Sequence, residues 1–289
     1  MGVDQERAMN TSPQNTRPIG ILDSGVGGLS ILCELQRTLP QEDFIYLGDT
    51  LHAPYGSRDE GDIRSLIDQA ASILLRHSPK ALVLGSSTIT TVALDHLRAI
   101  HSLPIVGADP AVSLAVRVTR SRVIGVLSTR ATAHGELLEA LVSQFARPAG
   151  VRVMKAWHND LVPLIERAEV DTPAIRALLH EILDPLAQQG ADQLVLASTH
   201  FTFLKSIITA EFGNAFGFVD SAGSVATDVA CLLDQQRLRN SGIRSGSTLY
   251  LFTGDIEHTR TTVAALLNLA MPDNLVQKAA LDVRSAAAA

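Results

Sequence analysis

Short apolar runs punctuate the chain at residues 19–22, 44–47, 81–84, 105–107, 123–127, 151–154, 193–197, 216–219 and 248–252. Each is apolar almost throughout and bounded by polar residues, Gly or Pro, the pattern of strands covered on both faces. Between them the apolar positions recur at helical spacing, as in 63–76, 91–99, 134–144, 173–188 and 223–236. Strand–helix alternation of this kind predicts an α/β fold with mainly parallel sheets. The polar opening, residues 1–17, reads as a flexible leader without the apolar centre of a secretory signal, and 271–289 as a weakly ordered, Ala-rich tail.

One pattern occurs twice. Leu82-Val83-Leu84-Gly85-Ser86-Ser87-Thr88 is echoed by Leu194-Val195-Leu196-Ala197-Ser198-Thr199-His200. Each is an apolar strand running into a small residue, a serine and a threonine. Ligands of open α/β sheets bind beyond the carboxyl ends of strands. Two such ends facing each other would form a hydroxyl-lined cleft.

Composition narrows the function. The chain has 289 residues, 46% of them hydrophobic, and a net charge of −6. No Lys/Arg cluster offers a footprint for nucleic acid or an anionic membrane. No apolar run approaches the roughly 18 residues of a membrane span. The two cysteines, Cys33 and Cys231, are too few for a disulfide framework and fit a cytoplasmic protein. Both fall in helical apolar patterns and read as small buried hydrophobes. The nine histidines show no H-E-x-x-H or Cys/His ligand spacing, so no metal is expected. Trp157-His158-Asn159-Asp160 reads as an exposed polar loop.

The first strand runs into Asp23-Ser24-Gly25-Val26-Gly27-Gly28-Leu29. This Gly-rich turn lets the backbone approach a ligand and opens a helix whose first N–H groups favour an anion. It does not match G-x-G-x-x-G, and no phosphate-binding lysine follows. An ordinary strand–helix connection and an anion site fit it equally well.

Together with Tyr46-Leu47-Gly48-Asp49-Thr50, Pro54-Tyr55-Gly56, Leu161 to Glu166, Asp220-Ser221-Ala222 and Thr253-Gly254-Asp255, this turn makes the chain resemble the glutamate racemases of the cofactor-independent aspartate/glutamate racemase superfamily. The resemblance runs over about residues 18–270. It implies two pseudo-symmetric α/β lobes, residues 18–110 with 222–270 and residues 111–221, and a site between them. It also implies interconversion of L- and D-glutamate for peptidoglycan without a cofactor, a small acidic amino acid or dicarboxylate as ligand, and a homodimer. Asp23 and His200 would assist catalysis, while Ser24, Pro54, Tyr55, Gly56, Ser87, Thr88 and Thr199 would hold the substrate.

The two positions that carry cysteine in that family are Ser86 and Ser198 here, and its asparagine after the first cysteine is Ser87. A thiol titrates near ~8.5 and is readily lowered, whereas an alkyl hydroxyl is far less acidic. A general base works best with a pKa close to the operating pH. Efficient two-base racemisation is therefore not expected. A Ser-His-Asp hydrolase is disfavoured because G-x-S-x-G surrounds neither serine. A one-base lyase or isomerase using His200 or Asp23, and a non-catalytic ligand-binding or regulatory relative, stay open as alternatives.

Overall fold

A computed structural model describes residues 15–240, 242–267 and 271–279. The first part of the chain alternates β1 (Ile19–Asp23), α1 (Leu29–Thr38), β2 (Phe44–Gly48), α2 (Glu60–Leu75), β3 (Ala81–Leu84), α3 (Ser87–Ile100) and β4 (Ile105–Gly107). The middle continues with α4 (Val112–Val118), β5 (Val123–Leu127), α5 (Arg130–His134), α6 (Glu136–Leu141), β6 (Arg152–Ala156), α7 (Leu161–Glu166), α8 (Pro173–Gln188), β7 (Gln193–Leu196), α9 (Lys205–Phe212) and β8 (Gly217–Asp220). The last part supplies α10 (Ala222–Gln235), β9 (Thr248–Phe252), α11 (Ile256–Leu267) and β10 (Val276–Lys278).

These strands form two sheets, β10-β9-β2-β1-β3-β4 and β6-β5-β7-β8, with every pairing parallel. The first contains the strands of both chain ends, and the second those of the middle. Alternation along the strands divides the first core in two. Ile19, Ile21, Tyr46 and Val83 meet Leu32 and Leu35 of α1 and Val225 and Val229 of α10 on one face. Leu22, Leu47, Leu82 and Leu84 meet Ile63 and Ile67 of α2 and Ile89 and Leu97 of α3 on the other. Each fully buried Leu, Ile or Val contributes roughly 1.5–3 kcal/mol, which is why these runs tolerate no polar residue.

Helices lie on opposite faces to either side of β1, because α1 leads to β2 and α2 leads back to β3. The carboxyl end of β1 is thus a topological switch point, where an open crevice forms. The middle sheet repeats the arrangement around β5, which lies between β6 and β7.

Three expectations need correction. The segment 271–289 is not simply a weakly ordered tail: Val276 to Lys278 form β10 and pair with β9 at the edge of the first sheet. Residues 280–289, like residues 1–14 of the expected leader, lie outside the described residues. Asn15 carries an anchoring contact, because its carbonyl accepts a hydrogen bond from Lys80 Nζ at 3.0 Å. Cys33 and Cys231 are exposed, not buried. Each sits two residues, about 200° around the helix, from buried Ile31 and Leu35 or Val229 and Leu233. The helix expected over 134–144 is split at Gly135, which is extended at φ −72° and ψ 148°. A Cβ there would lie 2.5 Å from Thr91 Cγ2, so a side chain would push α3 away.

Candidate functional site

The end of β1 delivers Asp23 into the crevice. Its carboxyl is fully buried, and three donors converge on one oxygen. Oδ2 accepts from the N–H of Gly28 at 2.9 Å, the N–H of Gly25 at 3.2 Å and the hydroxyl of Tyr46 at 2.9 Å. Oδ1 has no partner among the described residues. Burial pushes this carboxyl up from the usual range, against the opposing pull of His200, Gly28 and Tyr46. Ser24, next in the chain, is also buried.

The two echoed segments end in matching backbone. Ser86, before α3, has φ −145° and ψ 133°; Ser198, before the 3₁₀ turn Thr199–Leu204, has φ −137° and ψ 137°. Both serines are buried, and neither hydroxyl caps its helix. The segments meet across the sheets, because Thr199 Oγ1 donates to the carbonyl of Gly85 at 3.2 Å. Gly27 packs against the second segment with no room for a side chain. A Cβ there would fall 2.5 Å from His200 Nδ1 and 2.7 Å from Thr199 Oγ1.

A row of hydroxyls lines the flank of the crevice. Thr88 Oγ1 and Thr129 Oγ1 lie 3.0 Å apart, and Thr129 Oγ1 is 3.1 Å from Thr132 Oγ1. The hydroxyls of Ser87 and Ser128 are buried there without a hydrogen-bond partner among the described residues. The main chain of Gly56 approaches Thr129 closely enough that a Cβ would sit 3.0 Å from that side chain. Pro54 follows a cis peptide and packs beside Gly56 and Val162. Tyr55 departs from its expected role in one respect. Its ring is buried in the first core and its hydroxyl donates to Asp49 Oδ2 at 2.6 Å, so it can offer a ligand only its main chain.

On the opposite wall, His200 Nε2 lies 2.5 Å from Glu166 Oε1. The same carboxylate oxygen accepts the main-chain N–H of Val26 at 3.2 Å, and the Glu166 carbonyl accepts from Thr262 at 3.3 Å. Burial would lower the imidazole pKa, but the Glu166 hydrogen bond and the charges of Glu166 and Asp23 outweigh it and hold His200 above its ordinary value. A cavity of about 210 Å³ opens beside this pair, lined among others by Val26, Pro54, Glu166, Arg167 and His258.

The structure thus gathers Asp23, Ser86, Thr88, Ser198, Thr199, His200 and the main chain of Gly56 around one crevice. Sequence reasoning gave no role to Glu166, Tyr46 or Thr129. Glu166 stood within a recognised segment, but its partners are 34 and 140 residues away in sequence. Among the described residues, no group of three or more His, Cys, Asp or Glu could hold a metal ion, and no helix is long and apolar enough to cross a membrane.

Residues 30–228 match the model of the Asp/Glu/Hydantoin racemase family. A glutamate racemase of Deinococcus radiodurans is 48% identical over 259 residues, 90% of this chain and 89% of that protein. The crystal structure of a glutamate racemase isoform from Bacillus anthracis superposes with a TM-score of 0.82 at 26% identity, covering 93% of this chain and 98% of that one. A Francisella tularensis glutamate racemase, solved in complex with D-glutamate, superposes with a TM-score of 0.80 at 25% identity over 93% of this chain and 99% of that one. With its paired parallel sheets and the crevice between their strand ends, the chain belongs to the Asp/Glu/Hydantoin racemase family.

Proposed function

We propose that this chain binds an acidic amino acid, glutamate above all, in the crevice between the two sheets, and exchanges its α-proton only slowly. The observation that carries the reading is the junction of the two strand ends through Thr199 and Gly85. It ties the residue before Ser86 to the residue after Ser198. The D-glutamate bound by the Francisella relative supports the same ligand class.

In this reading the α-carbon lies between Ser86 and Ser198. Ser24, Thr88, Thr199 and the main chain of residues 54–56 hold the polar groups of the ligand. The unpartnered Oδ1 of Asp23 is suited to the ammonium group, since an ionised carboxylate oxygen is an acceptor and an ammonium is a pure donor. Removing the weakly acidic α-proton needs a base with a pKa near the operating pH. Serine hydroxyls do not supply one. The titratable groups next to the two serines are Asp23 and His200, and residual exchange runs through them. Both have raised pKa values, which makes Asp23 a stronger base when ionised and keeps His200 a proton donor to higher pH.

Two measurements on the unaltered chain test this. Calorimetric titration is expected to detect glutamate binding. Proton NMR in deuterated water, with chiral analysis, is expected to show α-proton exchange far below enzymatic rates. Rapid racemisation would overturn the slow-exchange part, and the lack of binding by any acidic amino acid would overturn the ligand assignment.

A further inference from the structure

Asp49 and Thr253 stand in two of the recognised segments but have no part in the proposed reaction. They meet at the ends of β2 and β9, 204 residues apart in sequence. The Thr253 hydroxyl donates to Asp49 Oδ1 and accepts the main-chain N–H of Leu51 at 3.1 Å. Thr50 Oγ1 accepts the main-chain N–H of Gly254 at 3.0 Å, so the two segments are tied twice more.

Asp49 is fully buried, and both of its carboxyl oxygens are occupied. Oδ1 takes the Thr253 hydroxyl, and Oδ2 takes the Tyr55 hydroxyl at 2.6 Å. His52 Nδ1 lies 2.9 Å from Oδ1 and 3.0 Å from Oδ2. A carboxylate accepts at each oxygen, which lets one side chain serve all these partners. Burial and the neighbouring Asp49 push the Tyr55 hydroxyl well above its ordinary pKa, so it stays a donor.

These contacts connect the two first-lobe parts of the proposed site. Tyr55 leads directly into Gly56, whose main chain runs against Thr129 of the second lobe. In the other direction, the main-chain N–H of Asp49 donates to the carbonyl of Asp23 at 3.0 Å. Asp49 thus grips the end of β1 with its main chain and the turn at 54–56 with its side chain. Ordering a turn costs conformational entropy, and a turn already held in shape spares a ligand that cost.

We infer that Asp49 is a positioning residue: its buried carboxyl anchors the 54–56 turn at a fixed distance from Asp23, and glutamate affinity depends on that anchor. The inference rests on the ligand site proposed above.

The test uses the full chain and two readouts. Hydrogen exchange of the Arg58 amide, which donates to the Tyr55 carbonyl at 2.9 Å, reports on the turn without ligand. Calorimetric titration reports glutamate affinity. Asp49→Asn turns an amide donor toward one of the two hydroxyls, and Thr253→Val removes a hydroxyl while keeping its shape. Each is expected to speed Arg58 exchange and weaken glutamate roughly tenfold, as for loss of a hydrogen bond to a charged group. Thr253→Ser keeps the hydroxyl and is expected to recover both readouts to within about twofold. Exchange in β5 and β7 is expected to stay unchanged, which a general loss of stability would not allow. Faster exchange throughout the chain, or an unmoved Arg58 amide in either folded variant, would overturn the anchor. A loosened turn with undiminished glutamate affinity would overturn its part in binding. If the unaltered chain binds no acidic amino acid, the proposed function fails instead, while a turn loosened by Thr253→Val and held by Thr253→Ser still supports the anchor.

Discussion

The hydroxyl of Thr199 donates to the carbonyl oxygen of Gly85 at 3.2 Å, joining the residue after Ser198 to the residue before Ser86. In the proposed reading this junction fixes the spacing of the two serine positions between which the α-carbon would lie. Introducing both thiols (Ser86→Cys with Ser198→Cys) is expected to raise α-proton exchange of glutamate by at least about 10²-fold, since a positioned acid or base typically contributes about 10²–10⁴-fold. Deuterium incorporation followed by NMR measures it. An unchanged rate in a folded double variant would show that the crevice does not hold the α-carbon between these positions.

Glu166 controls the charge of His200. Glu166→Gln removes the hydrogen bond and charge that hold the imidazole pKa up, leaving burial to lower it. NMR titration of the ring is expected to show His200 moving below its ordinary value. Stability follows the same sign. In the unaltered chain the favourable contribution of protonated His200 is full below about 6.5, the unfolded value, and is lost as pH rises through the raised folded value. In the variant, with the folded pKa below the unfolded one, the sign is expected to reverse, stability rising as pH increases toward about 6.5 in denaturant melts.

Tyr46 holds Asp23 from beneath. Tyr46→Phe removes one of three donors to Oδ2 and is expected to push the buried carboxyl still higher, as read by carbon NMR of labelled aspartate. Losing a partner of a buried polar group costs about 1–3 kcal/mol of stability. Because the folded Asp23 pKa already lies above its unfolded value, stability falls as pH rises from the unfolded pKa to the folded one. Tyr46→Phe is expected to steepen that fall.

Gly27→Ala tests the tightness of the lobes. The new methyl would overlap His200 Nδ1 and Thr199 Oγ1, both buried, and overpacking of this kind costs about 1–3 kcal/mol. Small-angle scattering is expected to show a more open molecule, and calorimetry a loss of glutamate affinity. Unchanged scattering and affinity would mean that the contact relaxes without parting the lobes.

Much of this site was legible before folding because strand ends carry their own signal. Ser86 and Ser198 stand out as repeats of one apolar pattern, and Asp23 opens a Gly-rich turn; main-chain geometry alone brings them to the crevice. Glu166 was not legible as a partner of His200, since nothing local distinguishes that carboxylate from a solvated one on α7. Strand β10 escaped because only Val276 of its three residues is buried, too short a pattern to set apart from a polar tail. The cysteines misled because Cys33 fits an apolar spacing from Leu29, while the buried stripe of α1 passes through Leu32 and Leu35 instead.

The contacts between the sheets also fix how a ligand gets in. The bonds from Val26 to Glu166, Thr88 to Thr129, Thr199 to Gly85 and Thr262 to Glu166 all bridge the crevice. At about 0.5–1.5 kcal/mol each, they favour the closed arrangement over one in which the lobes part. As ligand concentration rises, the observed association rate is expected to level off at the rate of opening, and stopped-flow mixing reads that plateau directly as the frequency with which the lobes part.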